Sequence, residues 1–361
     1  MLIKTLCGEL EISRDYYYCR ECGHKEIPLD EKLNLTELPH KMTKEMMLET
    51  AFYGQNQSSF TDASTMLKRA LDMDVSKETI RKITEEVGSR AFEADTKKAR
   101  YLKNNMHKIE NSDEKDGRVL YLMTDGAAVN TRIEDENGST WRENKTVIAF
   151  TDKDLIKRKD GGNIIIRKEY AAFIGSAEDF KGYVLSVAVN AGYGNVREVV
   201  IIADGATWIR NMAKELFPEA TQILDVYHLK ENIYTYAKHM FSQDEKKYVP
   251  WAEELIGKTE KGKVFEALHQ IPEGEKLPSG VVNLRTYITN NIDKINYPAY
   301  REKGYFVGSG AIESANKVVV QRRLKQAGMR WSVPGAQALL TLRAKVESNL
   351  WDTDVRALLC A

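Results

Sequence analysis

The chain reads as an α/β protein with helical flanks, and three observations carry that reading. The stretch Glu198-Val-Val-Ile-Ile-Ala-Asp204-Gly-Ala-Thr-Trp208 is a β-branched run, able to be buried on both faces, that stops at a carboxylate and a glycine. A bare aliphatic strand that delivers an acid at its C-terminal end is how many α/β proteins present a reacting group. The upstream stretch Arg118-Val-Leu-Tyr-Leu-Met-Thr-Asp125-Gly-Ala repeats the pattern. Helix-patterned segments then lie on either side of this strand-rich centre. Asp-Gly is also the commonest way to leave a strand, so either Asp taken singly reads first as a turn residue. The matched pair is what points to a paired-carboxylate site.

At 361 residues the chain is long enough for two or three domains of roughly 100–200 residues each. Apolar residues at 42% and charged residues at 29% describe an ordinary soluble globular protein. No run of about 18 apolar residues occurs, so no transmembrane helix and no membrane partner is expected. Met1-Leu-Ile-Lys-Thr-Leu-Cys7 is too short, and too soon interrupted by charge, to be a signal peptide. The expected compartment is the cytoplasm. With 53 basic and 53 acidic residues the net charge is zero, so any DNA surface must come from local clustering. Cys7, Cys19, Cys22 and Cys360 are too few and too unevenly placed for a disulfide scaffold, which leaves reduced thiols or a metal site.

Residues 1–42 read as a partial zinc-ribbon-like segment. A strand, Leu10 to Tyr18, leads into Cys19-Arg-Glu-Cys22-Gly23-His24, and two thiolates on a tight turn can bite one tetrahedral ion. A Zn²⁺ site of Cys7, Cys19, Cys22 and His24 is one reading; the others are two unligated cysteines in a turn, or half of a site whose remaining ligands lie upstream of Met1. Residues 43–112 lack strand patterning and read as a helical, helix-turn-helix-like DNA-binding domain. Thr43 and Ser59 are N-caps, and Ser76 caps a helix after the break Asp72-Met-Asp74. Its Lys77, Arg81 and Lys82 would contact phosphates or bases. Any three-helix bundle shares this periodicity, and the charged run from Arg90 to Glu110 reads as a solvated face.

From Asp113 to Gly117 the character changes. A strand ending at Asp125 is followed by a turn at Asn137-Gly138, the strand Thr146 to Phe150, a polar loop over 157–162 and a strand around Tyr170 to Phe173. Ser176-Ala-Glu-Asp179 opens a helix as a near capping box. The strand to Asp204, a helix through Trp208, and the strand Gln222 to Asp225 complete the series. An antiparallel meander of three strands, then helix, strand, helix, strand, fits a ribonuclease-H-like mixed sheet. In that fold the first and fourth strands are neighbours, which brings Asp125 and Asp204 together. This catalytic domain spans 113–228 and 301–345, interrupted by a helical insertion over 229–300 and followed by a C-terminal tail, 346–361.

A turn, Gly308-Ser-Gly310, opens a helix on which Glu313, Asn316 and Lys317 share one face. Glu313 would bring a third carboxylate to the two aspartates. Three acids suit two Mg²⁺ ions about 4 Å apart, one activating a nucleophile and one stabilising the leaving oxygen of a phosphodiester. Arg322, Arg323, Lys325 and Arg330 follow and would hold phosphates beside the site, a salt-sensitive contribution. Glu313 alone reads as an exposed helix acid, and His228 alone as a structural histidine.

The stretches Asp125-Gly-Ala, Ile202-Ala-Asp204-Gly-Ala-Thr-Trp208, Leu224-Asp225-Val-Tyr-His228-Leu and Gly308-Ser-Gly-Ala-Ile-Glu313-Ser-Ala-Asn-Lys317, with Gly328-Met-Arg330-Trp331, resemble the DDE transposases of bacterial insertion sequences. The nearest likeness is to the ISLre-type group, related to the Mutator-like class, and it covers most of the chain. The resemblance implies that Asp125, Asp204 and Glu313 are a metal-binding catalytic triad for Mg²⁺ or Mn²⁺. It also implies that Asp225 and His228 form an Asp-x-x-His element, with His228 orienting DNA or a neighbouring acid. The partners it implies are transposon ends and target DNA, with at least a dimer assembled on them. A ribonuclease-H-like nuclease or resolvase that stops after hydrolysis is the rival enzyme. A domesticated DNA-binding protein using the helical domain alone is the rival outside enzymes.

Overall fold

The computed structural model describes residues 1–109, 115–159, 163–274 and 277–360. The expected switch at 113–117 and the polar loop over 157–162 thus lie partly outside the described residues, as does Glu110.

Two small hairpins open the chain: β1 (Leu2–Thr5) with β2 (Gly8–Glu11), and β3 (Tyr17–Tyr18) with β4 (Lys25–Glu26). The short helix α1 (Pro28–Lys32) follows, with proline in the first turn where no N–H is needed. The next helices begin where the caps predict. In α2 (Lys44–Asn56) the Met46 N–H donates to Thr43 Oγ1 at 3.3 Å. In α3 (Phe60–Leu71) the Asp62 N–H donates to Ser59 Oγ at 3.0 Å, and in α4 (Lys77–Asn104) the Thr79 N–H donates to Ser76 Oγ at 3.1 Å. α4 runs for 28 residues, far longer than a recognition helix of a helix-turn-helix needs.

The central sheet follows. β5 (Val119–Asn130), β6 (Trp141–Thr151) and β9 (Glu169–Ile174) form an antiparallel meander, with the hairpin β7 (Leu155–Lys157) and β8 (Asn163–Ile165) between the last two. After α5 (Ala177–Asn190), capped by Ser176, come β10 (Glu198–Ala203), α6 (Thr207–Leu216) and β11 (Thr221–Leu224). The five strands lie in the order β11-β10-β5-β6-β9, with β10 parallel to both β5 and β11. One expectation is corrected here: β5 does not end at Asp125. Gly126 keeps an extended backbone, and the antiparallel pairing with β6 carries the strand on to Asn130.

The remainder is helical: α7 (Val226–Met240), α8 (Glu245–Glu260), α9 (Val264–Gln270), α10 (Leu284–Asn290), α11 (Tyr297–Glu302) and α12 (Gly310–Ala315). α12 passes through a π-helical segment, Asn316–Gln321, into α13 (Arg322–Leu324). α14 (Val333–Glu347), a second π segment (Trp351–Val355) and α15 (Arg356–Cys360) complete the chain.

Both sheet faces are buried, which is why β10 is almost wholly aliphatic. Val119, Tyr121, Met123, Val200 and Ile202 face α7, α12 and α14, while Leu120, Leu122, Val199 and Ile201 face α5 and α6. A third core joins α2, α3 and α4 to Leu342, Trp351, Val355 and Leu359, so Trp351 to Leu359, within the expected tail, packs into the helical layer. Among the described residues no helix is long and apolar enough to cross a membrane.

Candidate active site

The register of the parallel strands builds the site. Ile202 lies opposite Met123 and opposite Ile223. Two residues further along, Asp204 therefore comes level with Asp125 on one side and Asp225 on the other. Neighbouring strands are about 4.8 Å apart, so three aspartates sit in a row at the carboxyl edge of the sheet.

The two Asp-Gly-Ala sequences have different backbones. Gly205 has φ +89°, and the Asp204 Oδ1 accepts the Ala206 N–H at 2.8 Å, turning the chain into α6. Asp125 stays inside a paired strand opposite Thr146, with Oδ1 accepting the Gly126 N–H and Oδ2 accepting Asn316 Nδ2–H, each at 2.7 Å. Burial pushes the Asp125 carboxyl above its ordinary range. The Gly126 N–H opposes that, while the charge of Asp204 adds to it.

Asp225 has no exposed surface, and its carboxylate is fully engaged. Oδ1 accepts the Tyr227 and Ser309 N–H groups, both at 3.1 Å, while Oδ2 takes the Ser309 hydroxyl and lies 2.5 Å from His228 Nδ1. Burial alone would raise this carboxyl, but the bonds from His228, Ser309 and Tyr227 hold it below the usual range. His228 is pushed up to about 9, first by its bond to Asp225 and against burial, with further help from Asp204 and Asp125. The imidazole is thus a cation facing the aspartate row.

α12 packs across β5 and β6. It brings Asn316, not Glu313, to Asp125. Glu313 stays exposed one turn earlier, and among the described residues no three His, Cys, Asp or Glu side chains gather where one metal ion could be held. Beside Asp204 a cleft of about 550 Å³ is lined by His228, Arg210 and, from the helical insertion, Asn232, Asn283 and Tyr287. The Tyr287 hydroxyl donates to the Asp204 carbonyl oxygen at 2.7 Å. The insertion carried no chemistry on sequence grounds; the amide-rich run Thr286-Tyr-Ile-Thr-Asn-Asn291 was the signal available. Ser309 belongs to a stretch singled out for its glycine turn and for Glu313, with no role given to the serine.

The basic residues divide. Lys77 and Lys82 are exposed, whereas Arg81 is held by Glu78 and Glu85, each at 2.6 Å. Lys317, Arg322, Lys325 and Arg330 are exposed. Arg323 is not on that basic flank: it is 1% exposed, because its guanidinium turns inward between the Phe60 and Trp331 rings, 4.4 and 5.1 Å from their centroids. Near the N-terminus, Cys7 lies in the β1–β2 turn, away from the β3–β4 hairpin that bears Cys19 and Cys22. The group Cys7, Cys19, Cys22 and His24 is therefore not assembled. The Cys22 N–H and thiol hold the exposed Cys19 thiol below its ordinary range, but a tetrahedral Zn²⁺ would need two further ligands.

These features define a mixed α/β protein with aspartates lined up at the carboxyl edge of its sheet and a helical segment folded beside them. The chain belongs to the uncharacterised protein family UPF0236, whose model matches residues 1–356. It is similar to a UPF0236 protein of Caldanaerobacter subterraneus subsp. tengcongensis whose name joins eleven loci: 26% identity over 348 residues, covering 94% of this chain and 66% of that relative. A second from the same organism is 24% identical, with the same coverage of both chains. A UPF0236 protein in vanSb 3'region of Streptococcus gallolyticus is 22% identical over 365 residues, covering 98% of this chain and 74% of the relative. The chain spans just under two-thirds of the length of the first two.

Proposed function

We propose that the chain is a DNA transposase of the DDE type, cutting phosphodiesters at the ends of a mobile element and joining them to target DNA on a ribonuclease-H-like sheet. The observation that carries this reading is the parallel register, which sets Asp125 and Asp204 level on adjacent strands beside the Asp225–His228 pair. The strand order β11-β10-β5-β6-β9 supports it, because it is the antiparallel-meander-plus-parallel-pair arrangement of that fold. So does the name of a relative that joins eleven loci of one genome, since recurrence at many loci is what a self-moving segment leaves.

Asp125 and Asp204 would hold a hard divalent cation, Mg²⁺ or Mn²⁺, with water and phosphate completing its shell. Two carboxylates on neighbouring strands, Asp204 with Oδ2 unengaged among the described residues, fit one ion. They do not by themselves fit two, because Asn316 occupies the place beside Asp125 that Glu313 would need. When bound, the ion supplies Lewis-acid polarisation of the phosphodiester. Asp225 fixes the imidazole through Nδ1, and His228 keeps its other ring nitrogen for a phosphate oxygen. Synapsis of two ends would require at least two copies of the chain.

The test uses duplexes carrying the repeats that flank the gene, a target plasmid and Mg²⁺. Wild type is expected to nick the ends and yield joined product, while Asp125→Asn and Asp204→Asn each lower cleavage on the order of 100-fold or more. Cleavage by Asp125→Asn at the wild-type rate sinks the reading; hydrolysed ends without joining make the chain a nuclease.

A further inference from the structure

Lys77 and Arg81 of α4 and Arg323 and Arg330 after α12, separate in the sequence, meet at one pocket. It has a volume of about 390 Å³, within the usual range of small-ligand sites, roughly 300–1,000 Å³. Ser59, Phe60 and Thr61 at the start of α3 and Lys77 and Glu78 at the start of α4 form one wall, so the first turns of two helices line it; the Asp62 and Thr79 N–H groups are taken by the Ser59 and Ser76 caps, which leaves the earlier N–H groups of each turn. The other wall is Arg132 and the segment Gly328 to Trp331, bound together by the Arg132 N–H to the Trp331 carbonyl at 2.8 Å and Arg132 Nε–H to the Arg330 carbonyl at 3.2 Å.

Arg323 lines this pocket and is its unexplained group. Its Nε–H donates to the Gly54 carbonyl at 3.1 Å, but Nη1 and Nη2 are buried without any hydrogen-bond partner. A buried guanidinium with open donors is costly, and native structures keep such groups where a ligand or water completes them. Burial lowers its pKa to about 10, with Arg343 adding repulsion, so it stays cationic at neutral pH. The acids nearby do not cancel the charge. Glu78 and Glu85 are spent on Arg81, and Asp62 reaches Arg323 only through space. Lys77 and Arg330 form no ion pair with a described residue.

We propose that this pocket is an oxyanion site that takes one backbone phosphate of a bound DNA strand, read jointly by the N-termini of α3 and α4, Arg323, Arg330 and Lys77. The inference rests on the DNA-processing function proposed above and adds to it a fixed phosphate anchor joining the helical layer to the segment that follows α12. A phosphate there would supply an anion and acceptor oxygens beside a guanidinium whose Nη1 and Nη2 have no hydrogen-bond partner.

Two measurements test it on the whole chain. The first is the melting temperature of wild type, Arg323→Met and the double variant Lys77→Gln/Arg330→Gln, in inorganic phosphate against chloride at equal ionic strength. Phosphate is expected to raise the melting temperature of wild type alone. The second is affinity for a fluorescent duplex against salt. The double variant, both of whose sites are exposed, should bind more weakly and lose about one from the log–log salt slope. Equal melting temperatures of wild type in the two salts, or an unchanged salt slope in the double variant, overturn the proposal. If wild type fails to bind DNA yet phosphate still stabilises it through Arg323, the DNA function fails and the pocket is a free-phosphate site. Arg323→Met serves only if it folds; the double variant carries the test if it does not.

Discussion

Asp225 shows how much one buried carboxylate can organise. Four donors from two distant segments, Tyr227 and His228 on α7 and Ser309 before α12, converge on it, so the start of α12 is tied to the end of β11. Asp225→Asn keeps the shape but removes the charge and turns one acceptor into a donor facing donors. The expected loss of stability is about 2–4 kcal/mol, read from urea unfolding, since charge-assisted bonds to a buried group are at stake. Its pH dependence has a definite sign. The folded pKa is depressed below the unfolded value of about 3.9, so the stabilisation is complete above that pH and is lost as pH falls through the folded value. Wild type and variant should therefore differ most between about pH 4 and 6.5, converge below that window, and lose the His228 part of the difference as pH rises towards about 9; a constant difference across the whole range contradicts the assignment. Ser309→Ala is less drastic, because it removes only the hydroxyl bond to Asp225 Oδ2 and keeps the backbone N–H to Oδ1: about 1–2 kcal/mol, with the imidazole still held by Asp225.

At the scale of elements, what was legible in the sequence was local. Thr43, Ser59, Ser76 and Ser176 each cap the helix they announce, because a cap depends on three or four adjacent residues. The aliphatic runs of β5 and β10, and the end of β10 just before Asp204, were legible for the same reason. What was hidden depends on partners far along the chain. β5 continues past Asp125 because β6 pairs with it, and Arg323 turns inward because Phe60 and Trp331 offer two ring faces. The placing of Asn316 rather than Glu313 at Asp125 follows from how α12 lies across the sheet, which periodicity does not specify. The length of α4 has a packing reason too. A Cβ at Gly88 would stand 2.6 Å from the Ala338 carbonyl oxygen of α14, and one at Gly182 of α5 would stand 2.7 Å from the Ala99 carbonyl oxygen of α4. Both contacts are with backbone, which cannot swing aside. Gly88→Ala is expected to destabilise by about 1–3 kcal/mol. Gly257→Ala in α8, where a Cβ meets nothing, should stabilise by about 0.5–1 kcal/mol. Thermal melts of the two variants should move in opposite directions, and equal shifts would remove the close-packing argument.

Across the whole molecule the sheet, the N-terminal helices and the C-terminal helices are not independent. α14 contributes Ala336, Leu339 and Leu340 to the core over the sheet and Leu342 to the core of α2, α3 and α4. Lys345 on the same helix bonds Asp95 of α4 and Asp354 of the second π segment, both at 2.7 Å. The last residues close that layer: Trp351 stacks edge-on against Phe52 with ring centroids 5.2 Å apart, and Val355 and Leu359 are buried beside it. Any phosphate held between α4 and the segment before α14 would therefore be felt by the sheet through α14. The corresponding energetic prediction is severe. Burying three large apolar side chains contributes roughly 1.5–3 kcal/mol each, so removing residues 349–361 should forfeit about 5–9 kcal/mol, comparable with the whole net stability of a domain. The truncated chain should lose its cooperative melt by circular dichroism and become protease-sensitive first within α2 and α3. Trp351→Ala in the full-length chain isolates the same effect at about 3–5 kcal/mol without shortening the protein. If both proteins melt within about 2 °C of wild type, the shared core is a contact without energetic weight, and the helical layer is a separate folding unit.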